Sequence, residues 1–167
     1  EDLRYRTNSS PMPMSKKTLQ TIMASIIYVA IVWIIFMLLY IVFCYTTNGE
    51  FLFGFTKREL IAILNSVVVL IVSTAIAILV AHFSPKDELL SMIGNIIGLG
   101  SSFLCGIFVP QDMLGDNVLH AAKFLPFYWY VKANNSIFSL AGENFNEIEI
   151  YKYIAVEALF AVPLFIL

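Results

Sequence analysis

The stretch Ser91–Pro110, SMIGNIIGLGSSFLCGIFVP, combines two properties that determine how the rest of the chain is interpreted. It is apolar enough to lie in lipid, and small residues recur in it at every fourth position, which are Gly94, Gly98, Ser102 and Gly106. A four-residue interval places residues on one face of a helix, where a second backbone can approach closely. The sequence therefore predicts a membrane-spanning helix, ended by Pro110, that packs along this small-residue stripe.

The composition of the whole chain agrees with a membrane protein. Of its 167 residues, 59% are hydrophobic and only 13% are charged, and the mean hydropathy is +0.82. Soluble domains average about 25% charged residues. The net charge is −2, and outside the N-terminal end no basic patch occurs, so nucleic acid is not expected as a partner.

The apolar runs predict an all-α fold, namely a polytopic membrane helix bundle. A helix needs about 20 apolar residues to cross the hydrocarbon core of a bilayer. Four runs approach or exceed this length, at about 19–45, 60–83, 89–109 and 150–167. The last run stops at the chain end, so we expect the sequence to be a fragment of a longer protein. Residues 1–18 are polar and carry four basic side chains beside the first span, which favours the cytoplasmic side for this segment.

The region 111–149, between the third and fourth spans, is less regular. The segment Asp116–Phe124 has the pattern of a short amphipathic helix, and Pro126 then precedes four consecutive aromatic residues, Phe127–Tyr130. Such aromatic residues favour the headgroup level of a membrane. We expect an interfacial or re-entrant helical hairpin here, with Pro110 and Pro126 at its turns.

Motifs for chemistry are missing from the sequence. It contains no phosphate-binding G-x-x-x-x-G-K-[ST] motif, no H-E-x-x-H and no G-x-S-x-G. His82 and His120 have no partner at metal-ligand spacing. We therefore predict no catalytic residue, no cofactor-binding residue and no metal ligand in this chain.

Two polar residues in apolar runs are candidates for a translocation pathway. Glu157 is the one acid within an apolar run, and it either faces a polar pathway or proton-linked site, or extends outward to the membrane interface. Asn95 lies beside the small-residue stripe, and it either forms an interhelical hydrogen bond or contacts a substrate.

Three stretches together resemble the C-terminal part of a type 2 ABC transporter permease, the exporter-like membrane subunit. Arg4–Lys17, RYRTNSSPMPMSKK, is similar to the cytoplasmic segment before the third span of that family. Gly94–Pro110 is similar to its fifth span with a closing proline, and Asp116–Tyr130, DNVLHAAKFLPFYWY, is similar to its re-entrant pair of helices.

The resemblance implies the membrane subunit of an ATP-driven exporter, in which two permease halves form the pathway as a homo- or heterodimer. ATP and Mg would be bound by a partner ATPase, and residues 1–18 would follow the coupling helix that contacts it. The residues implied in this coupling are Arg4, Arg6, Ser10 and Pro11. The expected location is the plasma membrane. The alternatives are a non-transporting accessory or immunity protein on the same scaffold and, disfavoured by the missing motifs, a membrane-embedded enzyme.

Overall fold

The computed structural model describes residues 14–48, 56–83, 87–138 and 146–166, and the elements within these ranges are all helices. The residues implied in ATPase coupling, Arg4, Arg6, Ser10 and Pro11, lie outside the described residues. The chain forms two units, Glu1–Glu50 and Phe51–Leu167.

The first unit contains a single described helix, α1 (Met14–Asn48). Its 35 residues correspond to a length of about 52 Å at 1.5 Å per residue. Within it, Ile22–Phe43 is long and apolar enough to cross a membrane. A helix is the structure expected for such a run, because in lipid the backbone must satisfy its own hydrogen bonds. The predicted first span at 19–45 lies within α1.

The second unit begins with α2 (Lys57–Phe83) and α3 (Asp87–Leu104). The start of α2 is capped locally, since the Thr56 N–H donates to the Glu59 carboxylate over 2.8 Å. This is one half of the Thr-x-x-Glu capping box, which satisfies a backbone donor at a helix end. The stretch Lys57–Ala81 is long and apolar enough to cross a membrane, whereas the apolar part of α3, Glu88–Leu104, is shorter.

The third predicted span ends earlier than expected. The sequence predicts that Pro110 ends the helix, but α3 stops at Leu104. The cause is Gly106, whose φ of +98° lies in the left-handed region that side chains disfavour. The N–H of Ile107 donates back to the Ser102 carbonyl over 3.0 Å, which is one bond of a Schellman cap. Gly106 is therefore a turn residue and not a fourth member of the helical stripe.

The region 111–149 is largely helical where it is described. A 3₁₀ turn at Gln111–Met113 follows Pro110, and the short helix α4 (Asp116–Ala122) comes next. The helix α5 (Pro126–Phe138) begins at Pro126, a position where the missing N–H of proline costs no hydrogen bond. The two prolines thus stand at the entry to the turn and at the first residue of α5.

The helix α6 (Glu147–Ile166) completes the second unit and packs against α2 and α5. The core of these three helices consists of Ile61, Ala133, Ile137, Ile150 and Ile154. Lys57 and Glu147, each in the first turn of its helix, are joined by a 2.6 Å ion pair. Since the starts of α2 and α6 are level, the two helices run parallel.

The predicted fold class is confirmed, because the described residues form a helical bundle with long apolar helices. Two helices, α1 and α2, contain stretches that satisfy the length and apolarity expected of a span. The count of four spans, the division at residue 18 and the interfacial position of residues 111–149 stay predictions.

Candidate functional site

The bundle of α2, α5 and α6 contains a buried polar contact at Asn65. This side chain is fully buried, and its Nδ2 donates to the Tyr130 carbonyl oxygen over 3.2 Å and to Asn134 Oδ1 over 3.1 Å. Both acceptors lie on α5, so the contact joins that helix to α2. The Asn65 Oδ1 atom has no hydrogen-bond partner within the described part of the chain.

Glu157 is the second buried polar residue of this bundle. It is 0% exposed, and neither carboxyl oxygen has a hydrogen-bond partner among the described residues. The interpretation in which Glu157 extends outward to the interface is therefore wrong: the side chain lies inside the helix packing. Glu157 follows Ile154 on the buried face of α6 and continues the row of core residues.

Asn95, the other candidate pathway residue, is exposed on α3. An exposed amide on α3 and a wholly buried carboxyl on α6 do not share one site in this structure. Neither side chain lines the apolar cavity described below, so the structure does not bring the two candidates together.

A cavity of about 460 Å³ lies between α2 and α3, and Phe127 of α5 also contributes to its lining. Its lining is apolar and includes two members of the small-residue stripe on α3, Gly94 and Gly98. In the described chain no neighbouring atom lies within 4 Å of a Cβ placed at either glycine. The third stripe member on α3, Ser102, donates to the Gly98 carbonyl of its own helix over 2.7 Å. Gly94 and Gly98 thus make no close contact with the other described helices of the second unit.

The turn after α3 is held by Gln111. Its Nε2 donates to the Cys105 carbonyl over 2.9 Å and to the Tyr128 carbonyl over 3.4 Å. Cys105, a buried free thiol, packs with Ala122 and Tyr128 in a second core cluster. Through this cluster, α4 and the start of α5 pack against the residue that follows α3, so the predicted hairpin region is in contact with the end of α3.

The aromatic run at the start of α5 surrounds a lysine. The Lys132 ammonium lies 5.8 Å from the ring centre of Tyr128, 5.9 Å from that of Trp129 and 4.9 Å from that of Tyr153 on α6. Ammonium groups within about 6 Å of an aromatic face are attracted by the ring quadrupole. We call Tyr128, Trp129, Lys132 and Tyr153 the lysine–aromatic cluster. It joins α5 to α6, and the Trp129 indole N–H donates to the Lys123 carbonyl over 3.0 Å.

The sequence alone predicts no role in a site for Asn65 or for Lys132. Asn65 and Asn134 are 69 positions apart, and nothing in either local sequence signals their contact. The signal available for Lys132 was its spacing, since it follows Tyr128 by four residues and Trp129 by three, which places all three on one helix face.

Within the described ranges, no group of three or more His, Cys, Asp or Glu side chains is placed to hold a metal ion. The features that the bundle does offer are buried polar groups between helices, an apolar cavity and long apolar helices. These are components of a membrane-embedded scaffold.

Comparison with known proteins identifies the scaffold. The family model described as ABC-2 type transporter matches residues 3–138, which is more than half of the chain. No curated protein and no solved structure gives a match. The match includes the N-terminal segment, the small-residue stripe and the aromatic run of α5, the three stretches on which the resemblance rests. The chain is an integral membrane protein and a transport component, and it belongs to the ABC-2 type transporter family.

Proposed function

We propose that this chain is part of the permease subunit of an ATP-driven exporter, forms the translocation pathway with a second permease half, and is coupled to a partner ATPase. The observation that carries the proposal is the family match over residues 3–138. The apolar helices α1 and α2 support it, because a pathway across a bilayer requires spans of this length.

Coupling is assigned to the N-terminal segment. Arg4, Arg6, Ser10 and Pro11 precede α1 and lie in a basic stretch, which favours the cytoplasmic side where ATP is available. An ATPase that closes on ATP would shift this segment, and the motion would pass to the bundle as movement of packed helices. ATP and Mg belong to the partner ATPase in this proposal, and the plasma membrane is the proposed location.

The helix packing is suited to rigid-body movement. The bundle of α2, α5 and α6 is held by an apolar core, by the Asn65 contact with α5 and by the lysine–aromatic cluster. Packed interfaces of this kind change between discrete arrangements and do not deform continuously. This supports a pathway that opens by displacement of whole helices.

The test uses the full-length protein co-expressed with its ATPase and reconstituted in lipid. We expect the two to co-purify and the permease to change the rate of ATP hydrolysis. Replacing Arg4 and Arg6 by Glu should abolish that change of rate, because two acidic side chains repel a surface that is complementary to basic ones, while the membrane bundle stays folded.

A matched control replaces two lysines of the second unit, Lys123 and Lys152, by Glu. Both side chains are exposed and lie outside the N-terminal segment. This control changes the net charge by the same amount and should leave ATPase coupling intact. Normal coupling in the Arg4→Glu/Arg6→Glu protein would contradict the proposed contact between the N-terminal segment and the ATPase. If no ATPase co-purifies with the unchanged protein, the proposed function is wrong.

A further inference from the structure

Glu157 occupies a core position between two helices. The buried positions of α6 are Ile150, Ile154, Glu157 and Ala161, at intervals of four, three and four residues. On α2 the buried positions are Ile61, Asn65, Val72 and Ala75, and Val68 is partly buried between them. These intervals are those of two helices packed along one seam. We call this interface the α2–α6 seam.

The ion pair at the helix starts fixes the depth of Glu157 in the seam. Lys57 contacts Glu147, and Glu157 comes ten residues later on α6, about 15 Å farther along the axis. A point about 15 Å from Lys57 along the axis of α2 lies near Val68. Glu157 therefore lies among apolar core residues, about one helical turn or less beyond the level of Asn65.

None of the charged and titratable groups on the helices around Glu157 is a hydrogen-bond partner of its carboxyl oxygens among the described residues. Those of α6 are in its first two turns, namely Glu147, Glu149, Tyr151, Lys152 and Tyr153. Those of α2 are in its first turn and near its end, namely Lys57, Arg58, Glu59 and His82. Those of α5 are Tyr128, Tyr130 and Lys132, and the Lys132 ammonium faces the rings of the lysine–aromatic cluster.

The surroundings of Glu157 therefore do not stabilise an ionised carboxylate. Burial of an unpaired charge costs far more free energy than burial of a neutral polar group, and a buried acid responds by keeping its proton. A neutral carboxylic acid also carries an O–H donor. Asn65, a core residue of the same seam, has the complementary need, because its Oδ1 is a buried acceptor without a donor among the described residues.

We propose that Glu157 is a proton-binding site in the α2–α6 seam. The carboxyl is neutral while the seam is closed, and it exchanges its proton with water when the helices separate. The buried Asn65 Oδ1 is the acceptor available to the Glu157 O–H, or to a water molecule between them, when the packing shifts. The site does not depend on the proposed exporter function, since it follows from the packing of this chain.

The first test measures stability against pH for the full chain in detergent micelles, using unfolding by a denaturing detergent. The folded protein holds the Glu157 proton, whereas an unfolded glutamate releases it near pH 4.3, so stability is lost as the pH rises above that value. The unfolding constant should rise by up to about tenfold per pH unit from this one group.

The variant Glu157→Gln keeps the shape and the neutral charge of the protonated acid, so it should fold and lose this part of the pH dependence. Glu149→Gln, which removes an exposed acid from the same helix, should keep the wild-type dependence. Equal slopes for the wild-type and Glu157→Gln proteins would overturn the proposal.

The second test needs only the wild-type chain in lipid nanodiscs. An apolar carbodiimide reacts with protonated carboxylic acids in a membrane, and mass spectrometry of the peptides identifies the labelled residue. We expect labelling of Glu157 at neutral pH, decreasing as the pH is raised, while the exposed Glu149 stays unlabelled. Labelling of Glu149 in preference to Glu157, or none at either residue, would show that Glu157 does not hold an accessible proton.

Discussion

At the scale of single residues, Gly106 shows how one backbone angle sets the end of a helix. Its φ of +98° costs any residue with a side chain about 1–2 kcal/mol. A Cβ at this position would also lie 2.5 Å from Cγ of Gln111, the side chain that holds the turn. We expect Gly106→Ala to lower the free energy of unfolding by about 2 kcal/mol, measured by unfolding of the purified chain in detergent.

Gly100→Ala provides the matched control. Gly100 lies inside α3 with open space around it, so an added methyl group meets no described neighbour. In a helix interior this change should be neutral or stabilise the fold by up to about 1 kcal/mol, because alanine is the better helix former. A lower free energy of unfolding in Gly106→Ala, with an unchanged or higher one in Gly100→Ala, would support the role of Gly106 in the turn. Equal losses in the two variants would contradict that role.

At the scale of helices, the contact between Asn65 and Asn134 predicts a measurable coupling between α2 and α5. Alanine at either position removes the 3.1 Å hydrogen bond, and a double-mutant cycle isolates its free energy. Interhelical hydrogen bonds in membrane proteins average about 0.6 kcal/mol and reach about 1.7 kcal/mol. We expect a coupling in this range from denaturant unfolding of the four proteins.

Thr74 supplies the control for this cycle. Its hydroxyl donates to the Leu70 carbonyl of its own helix over 2.7 Å, so it makes no contact with α5 through that bond. Thr74→Val combined with Asn134→Ala should show no coupling. A coupling as large as that of the asparagine pair would mean that the cycle reports a general loosening of α2.

The helices themselves were predictable from the sequence, but their contacts were not. Apolar runs without charges, such as 19–45, predict spans because lipid leaves the backbone no other hydrogen-bond partners. The four-residue interval extends through Gly106, yet the backbone of that residue leaves the helix. The buried state of Glu157 depends on residues of α2 that are distant in sequence, so hydropathy alone left both of its interpretations open.

At the scale of the whole molecule, the small-residue stripe predicts a packing partner outside the second unit. Gly94 and Gly98 have open space beside them: a Cβ added at Gly98 meets no described neighbour within 4 Å, and a longer side chain there extends into the cavity of about 460 Å³. The stability of the isolated chain should therefore stay within about 0.5 kcal/mol, or increase, because leucine is a better helix former than glycine. This differs from the expectation of impaired folding that close packing within one chain would give.

The effect of Gly98→Leu should instead appear in assembly. If the second permease half packs on the stripe, the larger side chain holds the two backbones apart and removes the close contact that glycine allows. Co-purification of the two halves, measured with a different tag on each, should fall. Gly100→Leu is the control, since Gly100 is two residues away and about 200° around the helix, off the stripe. Loss of assembly in both variants would indicate a general disturbance of α3, whereas loss in Gly98→Leu alone would place the second half on this face.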